Sequence, residues 1–326
     1  MSAVKVDSLE LLRCLDDGRY HSGETLSARF GMSRAALWKR IEALRELGVP
    51  IEAIPRRGYR LPYPVTPLDP DAISAVLRDK NLTPMPRLEV EFAVESTNTE
   101  LPQRGVAAPA VLLAECQTGG RGRWGRNWSS LYGAGVYASL LWHFPQLPES
   151  PAGLGLAVAS RVAEALDPGA ERLQLKWPND ILADNAKLAG MLIEIRGEAG
   201  GPCDAVIGVG LNYRLPGFLR SELEQAATDM SAVHGDALAD RNEIAALMIS
   251  GMVSAARDFG EHGLAPFLSE WQRRDALAGK AISVCLPDRT IEGEAAGLAP
   301  SGALKVAAVA GTVACVPGDV PLRIRR

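Results

Sequence analysis

The 326-residue chain has 47 % apolar and 23 % charged residues, the balance of an ordinary globular protein with a normal core, long enough for two or three domains. Its net charge of −4 is unevenly placed: residues 1–65 hold 11 Lys and Arg against 8 Asp and Glu, a balance of +3, which leaves −7 for the remainder. A general polyanion binder is thereby excluded, and a basic nucleic-acid module on an otherwise acidic protein is expected. Five scattered cysteines without a CxxC pair (Cys14, Cys116, Cys203, Cys285 and Cys315) indicate neither a disulfide framework nor a zinc site. No apolar leader follows Met1 and no apolar run reaches membrane-spanning length, so a reduced, cytoplasmic protein is expected.

Three short helices are expected first. Apolar residues recur at helical spacing from Asp7 to Cys14. Ser22 is placed to cap a second helix that runs to Phe30 and stops at Gly31. Ser33 caps a third, in which Leu37, Ile41, Leu44 and Leu47 form an apolar face before Gly48. Its other face carries Arg34, Lys39, Arg40 and Arg45. Residues 49–62, VPIEAIPRRGYRLP, read as a hairpin with arginines at its tip. Helix, turn, basic helix and hairpin make a winged helix-turn-helix, although a helical cap with solvated arginines has the same parts. In such a fold the third helix enters the major groove by its N-terminal end. That nominates Ser33, Arg34, Ala35, Leu37 and Trp38 near base edges, with Lys39, Arg40, Arg56 and Arg57 on phosphates.

The Pro-rich stretch LPYPVTPLDP reads as a linker, which places the first domain at 1–65. Beyond it, DAISAVLRD is a short helix, and LEVEFAVEST, VLLAECQ and GVYASLLWHF are strands. An apolar helix, GLGLAVASRVAEAL, follows. LQLKWPNDILAD and KLAGMLIEIRG read as a strand–turn–strand pair, CDAVIGVGLNY as another strand, and NEIAALMISGMVSAARDF and APFLSEWQRR as helices. Hairpin connections outnumber crossovers, so a central mixed α/β sheet is expected over 66–278. From residue 279 to 326, short alternating strands at regular spacing predict a small β-barrel. The fold class is α+β and multidomain.

Several chemistries fall away. Gly120-x-Gly122-x-x-Gly125 has no helix after it and no acid at the ribose-binding distance, no Lys is followed by Ser or Thr, and the four histidines lie far apart. What remains is a set of polar clusters at strand ends: Ser96-Thr97-Asn98, Gln117 with the loop TGGRGRWGRNWSS, Lys176-Trp177-Pro178-Asn179-Asp180, and Lys187. Each has a plain reading as a cap, a turn or a surface lysine. Together they describe one site suited to an ATP-using step, in which Arg and Lys stabilise charge on phosphate and Asp180 holds Mg2+ by oxygen.

GRGRWGRNW, KWPND, KLAGMLIE and GVGLN, in this order and spacing, closely resemble the biotin protein ligases. The N-terminal GMSRAALWKRIEALRELGV…RRGYRLP resembles the bifunctional bacterial class, both ligase and biotin operon repressor, and GALKVAAVAGTVACVPGDVPLRI resembles that family's C-terminal SH3-like barrel. The resemblance covers essentially the whole chain. It implies that biotin and ATP give biotinyl-5′-AMP, and that a lysine of a biotin carboxyl carrier protein, that of acetyl-CoA carboxylase, then takes the biotin. It also implies a Gly/Arg loop that closes over the adenylate, operator DNA as a partner, and a homodimer formed on binding the adenylate, with no membrane partner.

Carried onto this sequence, Ser96, Thr97 and Gln117 bind the ureido ring. Gly120, Arg121, Gly122 and Arg123 wrap the valeryl chain and the phosphate. Lys187 bridges the biotin carboxylate and the α-phosphate, and Lys176 assists with phosphate charge. Asn179 and Asp180 place Mg2+ or the incoming lysine. Asn98, Trp128, Gly190 and Asn212 complete the biotin and adenylate set. Two departures stand out. Trp124 occupies a place where well-studied relatives carry another Arg. No Trp lies between Trp177 and Trp271, so Leu or Met would have to cover the adenine. Three other functions share these features: a biotin sensor without ligase chemistry, a ligase whose N-terminal domain does not regulate DNA, and a lipoate or octanoate ligase. The intact Arg and Lys set argues against the first, and the KWPND and GRGRxGR pair against the last.

Overall fold

The computed structural model describes residues 3–146, 151–170, 172–197, 201–223, 225–285, 289–316 and 322–324. At its N-terminus stand α1 (Ala3–Leu15), α2 (Gly23–Arg29) and α3 (Arg34–Glu46), followed by β1 (Glu52–Ile54) and β2 (Gly58–Arg60). The two serines cap as expected: Ser22 accepts from Thr25 N and Ser33 from Ala36 N. Leu37, Ile41 and Leu44 of α3 are buried together with Leu11, Leu12 and Leu15 of α1 and Leu26 of α2. β1 and β2 form an antiparallel hairpin, and His21 exchanges backbone hydrogen bonds with Tyr59 to add a third strand segment to this wing. Gly58 permits that approach, because a Cβ there would sit 2.0 Å from His21 O.

One member of this core comes from far along the chain. Tyr132, 1 % exposed, is buried among the N-terminal leucines, with its ring tilted against that of Phe92 at 5.6 Å between centres. Its carbonyl accepts from the Tyr63 hydroxyl, and Leu131 packs against Gly48. The segment directly after the Gly/Arg loop is thus part of the winged helix's own core.

The central region contains α4 (Pro70–Asp79), β3 (Arg87–Val94), α5 (Thr97–Glu100), β4 (Ala110–Gln117), β5 (Gly135–Phe144), α6 (Pro151–Leu166), β6 (Leu173–Lys176), β7 (Asp180–Ala183), β8 (Ala186–Gly197) and β9 (Cys203–Asn212). After these come α7 (Gly217–Glu222), α8 (Met230–His234), α9 (Arg241–His262) and α10 (Leu268–Arg274). The seven strands form one mixed sheet in the order β3-β4-β5-β9-β8-β7-β6, parallel between β3 and β4 and antiparallel elsewhere. α6 and α9 pack on each other and against the sheet, and their small and aliphatic residues form the main core with it. LQLKWPNDILAD makes two four-residue strands, β6 and β7, joined by a turn at Trp177–Asn179, the turn that KWPND suggests, since proline lacks the N–H that a continuous strand would use. α7 and α8 carry too little periodicity to be read from sequence.

The C-terminal strands β10 (Ala281–Cys285), β11 (Thr290–Leu298), β12 (Leu304–Ala308), β13 (Gly311–Cys315) and β14 (Leu322–Ile324) form an antiparallel sheet ordered β13-β12-β11-β10-β14. Among the described residues β13 and β14 do not pair, so hydrogen bonds do not close the expected barrel. Residues 317–321 of its quoted motif lie outside the described residues. Its buried face, including Ile282, Val284, Leu304 and Val306, is continuous with the main core. The Trp177 indole N–H donates to Gly302 O at 3.1 Å, tying this sheet to the β6–β7 turn.

Candidate functional site

Strand direction brings the polar clusters together. The ends of β3, β4 and β9 and the start of β5 share one end of the sheet, as the registers Val94↔Gln117 and Gly135↔Asn212 require, and the β6–β7 turn comes alongside Gly190, inside β8, by the registers Asp180↔Gly190 and Lys176↔Asp180. A cleft of about 490 Å3, partly open to solvent, lies there. Ser96, Thr97, Asn98 and Gln117 line it together with Arg121, Arg123, Trp128, Asn179 and Lys187.

The inner end is a buried polar pocket. Gln117 Oε1 accepts from Thr97 N at 2.8 Å and lies 3.2 Å from its hydroxyl, while Gln117 Nε2 donates to Ser130 Oγ at 3.0 Å. The floor is cut from glycine. A Cβ on Gly208 would lie 2.2 Å from Asn98 Oδ1, and one on Gly210 would lie 2.5 Å from the Trp128 ring. The Trp128 ring packs against Gly210 and Gly190, and its buried indole nitrogen has no hydrogen-bond partner among the described residues. Ser139, Gly208, Gly210 and Glu194 were missed from sequence. Their only signal is alternation along strands, which carries no site information until the register is known.

The outer end holds the cations. β8 carries a bulge: Ile181 pairs with Ala189 and Leu182 with Lys187, leaving Leu188 as the extra residue. That one-residue shift puts Lys187 on the face shared by Asp180 and Gly190. Lys187 Nζ lies 2.7 Å from Asp180 Oδ1 and 5.5 Å from the centre of the Trp128 ring. The Gly/Arg loop folds across the cleft, with Trp128 N donating to Gly120 O and Gly122 N to Arg126 O. Arg121 Nη2 reaches both oxygens of Glu194 at 3.0 Å, and Arg123 Nη1 donates to Asn179 Oδ1 at 3.4 Å. Trp124 sits at the loop tip with φ +69°, a left-handed backbone rare for a bulky residue, and is 44 % exposed.

Four nominated residues do not line the cleft, and one of them, Asp180, meets it only through its ion pair with Lys187. Gly120 closes the base of the loop against Trp128 O. Lys176 lies opposite Asp180 in the ladder. Asn212 donates to the carbonyls of Lys187 and Thr228 and so braces the backbone behind the site. Residues 226–228 run alongside Lys187 by two backbone hydrogen bonds. In the stretch nominated to cover the adenine, the exposed large hydrophobic among the described residues is Phe218, an aromatic and not the Leu or Met expected.

Asp229 anchors that stretch. It is fully buried and accepts from Leu215 N, Ala232 N, Ser231 Oγ and Arg220. Burial pushes its pKa up, but these hydrogen bonds outweigh burial and hold it below the ordinary carboxylate value. A depressed pKa gives stability that is present above the unfolded value, about 3.9, and lost as pH falls through the folded value. Amide exchange over 213–232, corrected for intrinsic rates, is therefore expected to accelerate below about pH 4 relative to α9. In Asp229→Asn the same amides should exchange fast at neutral pH, with that pH dependence gone.

On the winged helix, Arg34, Ala35, Trp38 and Lys39 are exposed along the outer face of α3, beginning at the Ser33 cap. Leu37 is 1 % exposed and belongs to the core, which removes it as a base reader: it falls on the apolar face of the helix. Arg45 is spent on Ile51 O and Glu42. Arg56 stands at the wing tip with φ +66°, and Arg57 lies over the Tyr20 ring at 4.6 Å. Arg40 is half-buried on the same helix.

Comparison with known proteins fits this arrangement. Residues 91–212 match the Biotin/lipoate A/B protein ligase family and residues 8–60 an HTH domain. The chain is 37 % identical to the bifunctional ligase/repressor BirA of Salmonella typhimurium over 299 residues, covering 91 % of either chain. It is 29 % identical to the bifunctional ligase/repressor BirA of Bacillus subtilis over 325 residues, covering 98 % of this chain and 99 % of that one. It is also similar to the biotin protein ligase from Aquifex aeolicus in complex with biotin and ATP, with a TM-score of 0.64 at 27 % identity, over 74 % of this chain and all of that one.

Proposed function

The chain belongs to the bifunctional biotin protein ligase/repressor family, and from that premise we propose how its residues divide the work. It is a biotin–[acetyl-CoA-carboxylase] ligase with a DNA-binding repressor module. A carboxylate oxygen of biotin attacks the α-phosphorus of ATP, pyrophosphate leaves, and biotinyl-5′-AMP forms. The carrier lysine nitrogen then attacks the acyl carbon and AMP leaves. The observation that carries the site assignment is the single cleft in which a buried polar pocket adjoins Lys187, Arg121 and Arg123.

The pocket of Ser96, Thr97, Asn98 and Gln117 suits a ureido ring, which needs paired donors and acceptors. Trp128 and the glycine floor give the valeryl chain a flat apolar wall. Lys187 lies where that chain would end, placed to neutralise the carboxylate and the α-phosphate as negative charge develops. Arg121 and Arg123 reach the phosphate from the loop, whose closure would keep water from the mixed anhydride. Among the described residues no group of three or more His, Cys, Asp or Glu forms a metal cage. A single carboxylate, Asp180, fits a Mg2+ carried in by ATP phosphates, since such ions keep few protein ligands and screen phosphate charge. Lys176 is placed to add positive potential behind Asp180.

Biotin-dependent exchange of labelled pyrophosphate into ATP tests the first step. Exchange that needs biotin is expected, and none in the presence of tightly bound biotin would contradict the reading. We assign residues 1–65 to DNA binding, 66–278 to catalysis and 279–326 to the SH3-like domain. Ser33, Arg34, Ala35 and Trp38 are placed to read bases, and Lys39, Arg40, Arg56 and Arg57 to hold phosphates. Adenylate-driven homodimerisation and cytoplasmic residence complete the proposal. Among the described residues no helix is long and apolar enough to cross a membrane. The operator affinity should fall linearly with log salt, and Arg56→Ala with Arg57→Ala should lower that slope by about 2. An unchanged slope would remove the wing from the interface.

A further inference from the structure

Glu194 joins the two ends of the cleft. Asn98 Nδ2 donates to Glu194 Oε2 at 2.9 Å and to Leu192 O at 3.2 Å, so both amide protons face acceptors and the orientation of the Asn98 amide is fixed. Asn98 Oδ1 then faces the Ser139 hydroxyl, which also meets Thr97 Oγ1 at 2.7 Å. With the Thr97 hydroxyl donating to Ser139, the Thr97 backbone N–H donates to Gln117 Oε1. An unbroken hydrogen-bond chain therefore runs from Gln117 through Thr97, Ser139 and Asn98 to Glu194, and from Glu194 to Arg121 on the loop. Thr97, Asn98 and Ser139 are all buried. Glu194 is the one acid in that chain, acceptor-only and anionic, and sits where it meets solvent.

The grip on Arg121 is one-sided. Only Nη2 bonds to the carboxylate, with Nη2 shared between its two oxygens. Glu194 thus aims the guanidinium while leaving Nε and Nη1 to a second anion. We propose that Glu194 is a positioning residue for adenylation, holding Arg121 toward the α-phosphate from the same carboxylate that fixes the ring pocket. This rests on the reading of Arg121 as a phosphate ligand.

Glu194→Gln isolates the charge. It keeps an oxygen for Asn98, whose amide is also held by Leu192 O, and removes the counter-ion of Arg121. Single-turnover adenylation is measured for Glu194→Gln, Arg121→Met and the double variant, alongside biotin affinity without ATP and the melting temperature. The expected result is adenylation slowed about tenfold in Glu194→Gln, with biotin affinity within about twofold and melting unchanged. The double variant should be no slower than Arg121→Met, because the two act as one unit. The proposal is overturned by an unchanged rate, by an equal further loss in the Arg121→Met background, or by a tenfold fall in biotin affinity. If Arg121→Met is itself as fast as the unaltered protein, the reading of Arg121 fails instead.

Discussion

Lys187→Ala is expected to slow formation of biotinyl-5′-AMP by about 10²- to 10³-fold, roughly 3–4 kcal/mol of transition-state stabilisation, with the fold intact. The size follows from position. The ammonium stands at the mouth of a buried pocket, and the β8 bulge gives it no other face to occupy. Its removal also strips Asp180 of its partner and leaves a bare carboxylate beside the phosphates. Because Asp180 is also the carboxylate assigned to Mg2+, Lys187→Ala combined with Asp180→Ala should adenylate more slowly than Lys187→Ala alone. Single-turnover formation of the adenylate checks both statements. Near-normal synthesis by Lys187→Ala would remove Lys187 from the mechanism. A double variant as fast as the single, or faster, would show that Asp180 only balances the charge of Lys187 and would remove it as a Mg2+ ligand.

Glu115→Gln is expected to destabilise the protein by about 3–5 kcal/mol, the cost of leaving one buried charge without its partner. Arg241 is fully buried, its Nη1 lies 2.6 Å from Glu115 Oε2, and it also donates to Thr66 O and Gly135 O. Burial works against the charge of Arg241, and the nearby carboxylate more than restores it. Glu115 also accepts from Leu68 N, and Asn242 holds Asp69 N and Pro67 O. The linker from the winged helix is therefore latched to β4 and to the start of α9. In a chain of this size the loss corresponds to a melting temperature lower by on the order of 10 °C. Replacing both partners, Glu115→Leu with Arg241→Met, should recover part of it. A Glu115→Gln protein that melts within a degree or two of the original would show that the latch adds little.

The local signals in the sequence were sound where a residue's role depends on its neighbours in the chain. Ser22 and Ser33 cap, Leu37, Ile41 and Leu44 face inward, and Gln117, Arg121, Arg123, Asn179 and Lys187 all line one cleft. Long-range geometry was not legible. Lys187 faces the cleft because of a bulge at Leu188, which no periodicity announces. Glu194 and Ser139 lie inside apolar strands, where a polar residue reads as the solvent face until the neighbouring strands are placed. Tyr132, two residues beyond the Gly/Arg loop, completes the core of the N-terminal module, a contact with no local signal. Arg241 stood one residue outside the expected helix and proved to be one half of a buried ion pair. Leu37 was nominated for both faces of α3, and its burial decides between them.

The most direct test of ligase function is one incubation of the purified protein with biotin, Mg-ATP and a biotin carboxyl carrier domain, read by streptavidin blot. The account predicts label on the carrier only when both biotin and ATP are present. An unlabelled carrier, with tight biotin binding still measurable, would contradict it and leave a biotin-responsive DNA-binding protein, with Trp124 in the adenylate loop the first residue to replace.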